Sequence, residues 1–235
     1  MKRAALTAAS ALSLAAVLTA CGGSDSDAKP ETAPSSPKAK QPTPAEQLTK
    51  LMVSEAGKYT LREPDPEEAF ATSAADVTVE KPVCAPLAHA MNDLPLGDPE
   101  GHLTRVANGG SSTSLLTYIT LSTYKDGGAE AAMKELGASV ASCGGGFTAK
   151  SKSGGSAVYD SAKPESAPEA GDESLATAAT FDFQGHPQTV RTQTFRFGDT
   201  IANYFTLDSS AFVSARPGNA EIPADLVKFQ NAKLG

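Results

Sequence analysis

The sequence is poor in the residue types from which most catalytic and metal centres are built. Among 235 residues there are three histidines, His89, His102 and His186, and three cysteines, Cys21, Cys84 and Cys143. The histidines stand apart, with no H-x-x-x-H or H-E-x-x-H, so no helical metalloprotease motif is present. No C-x-x-C exists, which leaves neither a dithiol redox pair nor a cysteine-based zinc site. There is no G-x-S-x-G elbow, and the serine-rich GGSSTS at 109–114 reads as a flexible lead into a strand. The GGG after Cys143 has no lysine in phosphate-loop spacing and suits a helix terminus instead. Positive charge is also scarce. From Thr43 onward 15 Lys and Arg face 24 Asp and Glu, a net of about nine negative charges. That argues against nucleic acid, which rewards clustered basic residues, and against lying flat on an anionic membrane. Solubility alone accounts for such a charge. No metal ligand set or cofactor motif is expected.

What is present starts at the N-terminus. Lys2 and Arg3 precede an apolar run, Ala4 to Ala20, rich in Ala and Leu. Its length and flanks are those of a secretory signal, and it is too short for a comfortable membrane span. It ends Leu18-Thr19-Ala20-Cys21, which resembles the bacterial lipobox. The resemblance implies a diacylglyceryl group on the Cys21 sulfur, cleavage before it, and a chain anchored to the outer face of the cell membrane. An ordinary signal with a chance cysteine is the alternative. Two acyl chains suffice for stable anchoring because each buried methylene contributes about 0.8 kcal/mol. Residues 21–42 then form a lipidated cysteine and a Pro/Ser-rich tether with no large apolar residue, unable to offset its conformational entropy by burial. The S-x-x-K at Ser35 to Lys38 lies in this tether without partner motifs and is a chance match.

Residues 43–235 are expected to form a single extracytoplasmic α+β domain. Thr43, Pro44 and Glu46 spell a capping box, Leu48, Leu51 and Met52 share a face, and Gly57 is expected to close the helix. The acidic REPDPEEA that follows lacks calcium-loop spacing and reads as a solvated turn. A second helical segment starts at Cys84 with Leu87 and Met91 on its apolar face. A third, AEAAMKELGASVASC, places Met133, Leu136, Val140 and Cys143 at spacings of three, four and three. Both cysteines therefore sit on apolar stripes. In an exported chain a Cys84–Cys143 disulfide is the natural reading, with two buried free thiols the alternative.

Strand patterns are equally clear. LLTYITLSTY alternates from Leu115, and LATAATFDFQ, TVRTQTFRF and TIANYFTLD follow as an antiparallel sheet ending in a three-strand meander. Its links are expected at GHPQ and at the two-residue Gly198-Asp199. Residues 160–174, acidic and Pro-rich, are expected to be a mobile loop. A final helix with Pro223 and Asp225 in its first turn should return Leu226, Val227 and Phe229 to the sheet. The Gly198-Asp199 turn pairs Phe197 with Thr200 and Gln193 with Tyr204. One face then collects Val190, Ile201, Phe205 and Leu207 as core, joined by Phe181 and Phe183. The other face collects Arg191, Gln193, Phe195, Phe197, Tyr204 and Thr206, with Asp182 alongside. Either these line a ligand cleft, or a helix covers the aromatics while Arg191 reaches solvent along its stem.

The strand–turn–helix ITLSTYKDGGAEAAMKELGASVASC, the earlier helix at Cys84 and the later VRTQTFRFGDTIANYFTLD together resemble the PknH-like extracellular sensor domains of actinobacteria. The resemblance spans most of residues 45–235. It implies an antiparallel sheet flanked by helices, with a cleft for an unidentified ligand. The kinase members carry two disulfides, whereas one pair is available here. Three function classes follow. The first is a non-catalytic, membrane-tethered domain binding a small molecule, an envelope component or a protein. The second is an envelope-polymer hydrolase whose triad or carboxylate pair forms only in three dimensions. The third is a structural envelope spacer.

Overall fold

A computed structural model describes residues 42–67, 69–109 and 114–235. The first helix, α1 (Pro44–Leu51), begins as its sequence dictates. Glu46 N–H donates to Thr43 Oγ1 at 3.3 Å while Thr43 N–H donates to Glu46 Oε2 at 2.7 Å, which closes the capping box. Its end differs from expectation. Gly57 (φ +61°) does not close it; the helix stops at Leu51, six residues earlier in the chain. The cause is tertiary: Gln230, fully buried, donates to the Leu51 carbonyl and accepts from Val53 N–H, both at 2.9 Å. A side chain from the last helix thus satisfies the terminal groups that a C-terminal glycine would otherwise serve.

Among the described residues the sheet has ten strands. In chain order they are β1 (Tyr59–Arg62), β2 (Val77–Val79), β3 (Gly101–Gly109), β4 (Leu115–Thr123), β5 (Phe147–Ser151), β6 (Ser156–Glu165), β7 (Glu173–Phe183), β8 (His186–Phe197), β9 (Thr200–Asp208) and β10 (Gly218–Asn219). Spatially they run β1-β3-β4-β9-β8-β7-β6-β5-β2, all antiparallel, and the short β10 pairs in parallel with the start of β8. Four further helices flank the sheet: α2 (Ala85–Ala90), α3 (Gly128–Ser142), α4 (Ser209–Val213) and α5 (Ala224–Asn231). The run of consecutive antiparallel neighbours extends from β5 to β9, so the last three strands are part of a longer series.

The β8–β9 register has Phe197 opposite Thr200 and Gln193 opposite Tyr204, across a two-residue Gly198-Asp199 loop. The β7–β8 turn is tighter than the sequence led us to expect. Gln184 (φ +54°) and Gly185 (φ +83°) form the whole loop, and Phe183 pairs with His186. Two consecutive positive φ values are the mark of a type I′ hairpin turn, so His186, Pro187 and Gln188 belong to β8. The acidic 160–174 stretch is a loop only in its middle, since β6 runs through Glu165 and β7 starts at Glu173, which leaves residues 166–172 to connect them. Beyond Tyr159 only β7 pairs with β6. Pro164 therefore lies where a missing N–H leaves no ladder bond broken on the open side.

Both faces of the central strands are covered. Against one pack α2 and α3, with Leu87, Met91, Met133, Leu136 and the cysteines over Val190, Ile201 and Phe205. The Cys84–Cys143 disulfide ties the start of α2 to the end of α3, with a Cα–Cα distance of 5.9 Å. Against the other face pack α1 and α5, with Leu48, Leu226 and Val227 over Ile119, Leu121, Phe195 and Tyr204. Phe229, expected to face the sheet, is instead 49% exposed. Its ring lies against Gly57, so the α5 positions that reach the core are Leu226, Val227, Gln230 and Asn231.

Candidate functional site

Of the second-face residues singled out from the sequence, Phe195, Tyr204 and Thr206 are buried in the packed interior. Phe195 and Tyr204 are fully buried, pack edge-to-face with ring centroids 5.8 Å apart, and lie under α5. The Tyr204 hydroxyl donates to Asn231 Oδ1 at 2.7 Å. Thr206 is buried and shares a hydroxyl hydrogen bond of 2.9 Å with Thr117. Arg191 pairs with Glu165 at 2.9 Å and also binds Asn219 and the Ala220 carbonyl. Phe197 packs at the edge of this second core, and Gln193 Oε1 is buried without a hydrogen-bond partner. The reason is simple: a helix with an apolar face needs a sheet surface of matching polarity, and α5 takes this one. Asp182, alongside, holds the β7–β8 turn by accepting from Gly185 N–H at 2.9 Å. Cys21 lies outside the described residues.

The histidines do not converge. His89, on α2, is held below its ordinary pKa by burial, partly offset by the Ala74 carbonyl beside it. His102, on β3, is lowered by burial as well, and His186 opens β8. Among the described residues no three His, Cys, Asp or Glu side chains group as metal ligands would.

The structure gathers chemistry elsewhere, on the first face just past the end of α2. A cavity of about 160 Å³ is walled by Phe70, Tyr118, Tyr159, Phe181, Phe205 and Phe212, with Asn92 and Asp93 at its polar end. The rings brace one another. Tyr118 lies 5.7 Å from Phe205, Tyr159 meets Phe181 edge-on at 5.7 Å, and Phe212 of α4 closes on Phe181 at 6.0 Å. Asp93 also borders a second cavity of about 420 Å³, lined by Pro64, Pro66, Pro95, His102, Arg105 and Glu63 among others.

Asp93 is held in a backbone conformation that aspartate adopts more readily than most residues, with φ +53°. The sheet imposes it. The hydroxyls of Thr120 and Thr104 donate to the Asp93 carbonyl at 3.0 and 3.4 Å. On either side, Asn203 Nδ2 donates to the Ala90 carbonyl at 2.9 Å and Tyr124 donates to the Leu96 carbonyl at 2.7 Å. Thr194 in turn fixes Asn203 by donating to its Oδ1 at 2.8 Å. The segment that carries Asp93 is therefore pinned by polar side chains from β3, β4, β8 and β9, and the carboxyl group projects from a rigid base.

Burial alone pushes the Asp93 carboxyl up to about 7, with no donor or cation offsetting it. Arg105, on the wall of the larger cavity, is occupied by Glu63 at 3.3 Å and by the Thr104 carbonyl at 2.9 Å. The Tyr159 hydroxyl is raised to about 12, chiefly by burial. A largely buried carboxyl group without a partner, set among aromatic rings, is a costly arrangement for a fold to maintain unless something else meets it. The sequence gives one signal for it, an acidic residue inside the apolar run AMNDLPL directly after an amphipathic helix.

No family model matches this sequence, and no curated protein matches it. Among solved structures the chain is similar to the extracellular domain of PknH from Mycobacterium tuberculosis, with a TM-score of 0.41, 11% identity, and coverage of 76% of this chain and 80% of that one.

Proposed function

We propose that this chain is an exported lipoprotein, held at the outer face of the cell membrane by lipid on Cys21, whose residues 43–235 form a non-catalytic, sensor-like ligand-binding domain. The address rests on the dibasic start, the short apolar run and Leu18-Thr19-Ala20-Cys21. The binding function rests on one observation: an aromatic-walled cavity whose polar end is the unpaired carboxyl group of Asp93. Apolar walls with a few placed polar groups are the usual make-up of small-molecule sites. Acid–base or nucleophilic chemistry needs a second reactive group within hydrogen-bond reach, and among the described residues that line this cavity the titratable groups beside Asp93 are the Tyr118 and Tyr159 hydroxyls.

Native mass spectrometry of the protein purified from its own host tests the binding reading. A small molecule that remains bound under gentle ionisation and leaves on unfolding is expected. A bare protein in every preparation would point to a spacer instead. The anchor is tested by Cys21→Ser. The variant should leave the membrane fraction and the detergent phase, and a variant that partitions as the wild type does would remove the lipid from the account.

A further inference from the structure

We propose that the cavity ending at Asp93 recognises an organic ammonium cation small enough to fit within the aromatic walls. The inference rests on the ligand-binding reading above and gives the chemical class of the ligand. Three features converge on it. The walls present six aromatic rings, whose faces carry negative potential and attract cations that have shed water. The groups at the polar end are a carboxyl group and a carboxamide, Asp93 and Asn92, and the Asn92 amide nitrogen directs one N–H to the Ala88 carbonyl at 2.6 Å and the other towards the Tyr159 hydroxyl oxygen. Once ionised, the Asp93 carboxylate offers acceptors alone, and an ammonium group supplies donors and charge together and so favours that ionised form.

The nearest protein cation does not serve. Arg105 lines the adjoining cavity but is bound to Glu63 and the Thr104 carbonyl. The carboxyl group behaves as one raised by burial alone, the state that a bound cation relieves. An anionic ligand would meet an uncompensated carboxylate, and a neutral apolar one would leave Asp93 unpaired, so both are selected against. The volume, about 160 Å³, limits the occupant to a short alkyl or methylated ammonium, with any longer polar portion passing into the larger cavity that shares Asp93.

The test uses the full chain in detergent, with n-butylammonium and tetramethylammonium as probes and n-butanol as the neutral counterpart of the first. Binding is read by calorimetry and by the shift in thermal midpoint. The expected result is that both cations bind at least about tenfold more tightly than butanol. Asp93→Asn, checked for native circular dichroism, should abolish that preference. Phe212→Leu, which alters the wall without touching Asp93, should weaken the cations severalfold and spare butanol. Equal binding of butanol and butylammonium would overturn the ammonium assignment, as would cation binding that survives Asp93→Asn unchanged. A neutral or anionic molecule retained in native mass spectrometry would overturn it while leaving the ligand-binding function standing. No retained molecule and no binding of any probe would remove both.

Discussion

Replacing Asp93 by asparagine removes one titrating group at almost constant shape, and asparagine accepts the φ of +53° found there. Folding carries the Asp93 carboxyl from an ordinary pKa of 3.8 to about 7, by burial. The proton is held by the folded state across that interval and released by the unfolded state. Stability contributed by the protonated form is thus fully present below about pH 4 and is lost as pH rises through about 7. The rise from 3.8 to about 7, converted at about 1.36 kcal/mol per pH unit, gives a ceiling of about 4 kcal/mol. His89 and His102, lowered by burial, act in the opposite sense, adding stability as pH rises towards the ordinary histidine value. Their contribution and that of the Arg105–Glu63 pair are common to both proteins, so the difference curve isolates Asp93. Urea unfolding followed by circular dichroism from about pH 4 to 8.5 should show the two proteins nearly equal in acid and Asp93→Asn the more stable above neutrality. Parallel curves across the whole range would mean that the carboxyl group is solvated and ordinary, and the account of the cavity would fail with it.

Removing the disulfide as Cys84→Ser with Cys143→Ser should cost about 2–5 kcal/mol, read as a lower urea midpoint; an unchanged midpoint would show the bond to be idle. Tyr204→Phe strands Asn231 Oδ1 in the second core and should cost about 1–3 kcal/mol. Combined with Arg191→Ala it should leave retention of any co-purified ligand unchanged, and loss of that ligand would return the site to the second face. Gly146→Ala should destabilise by about 1–3 kcal/mol from backbone strain alone, because φ is +95° and the new methyl group would meet the Tyr159 and Asp160 carbonyls; wild-type thermal stability in that variant would contradict the close approach.

Features fixed by neighbours in sequence were legible from sequence. The Thr43–Glu46 capping box, the apolar spacing that puts Cys84 and Cys143 on helix stripes, and the register across Gly198-Asp199 depend on residues a few positions apart, and the structure contains all three. Alternation also sorted the strand residues correctly onto two faces, with Val190, Ile201 and Phe205 in one core and Phe195 and Tyr204 in the other. Composition was the poor guide. The first part of the acidic, Pro-containing stretch after Tyr159, through Glu165, became strand because β7 pairs along it.

What sequence could not decide is which partner arrives from far along the chain. Gln230 ends α1 from 179 residues away, as measured between it and Leu51. Whether the second face of β8 and β9 would be a cleft or a core depended on where α5 settles, and an amphipathic helix carries no record of its destination. Asp93 is the sharpest case. By itself it is an aspartate after a short helix, one acidic residue among 27. It becomes a largely buried carboxyl group facing aromatic rings only because β4, β6, β7, β9 and α4 bring Tyr118, Tyr159, Phe181, Phe205 and Phe212 around it. Desolvation is a property of everything within a few ångströms, and those neighbours are assembled by the sheet, not by the local sequence.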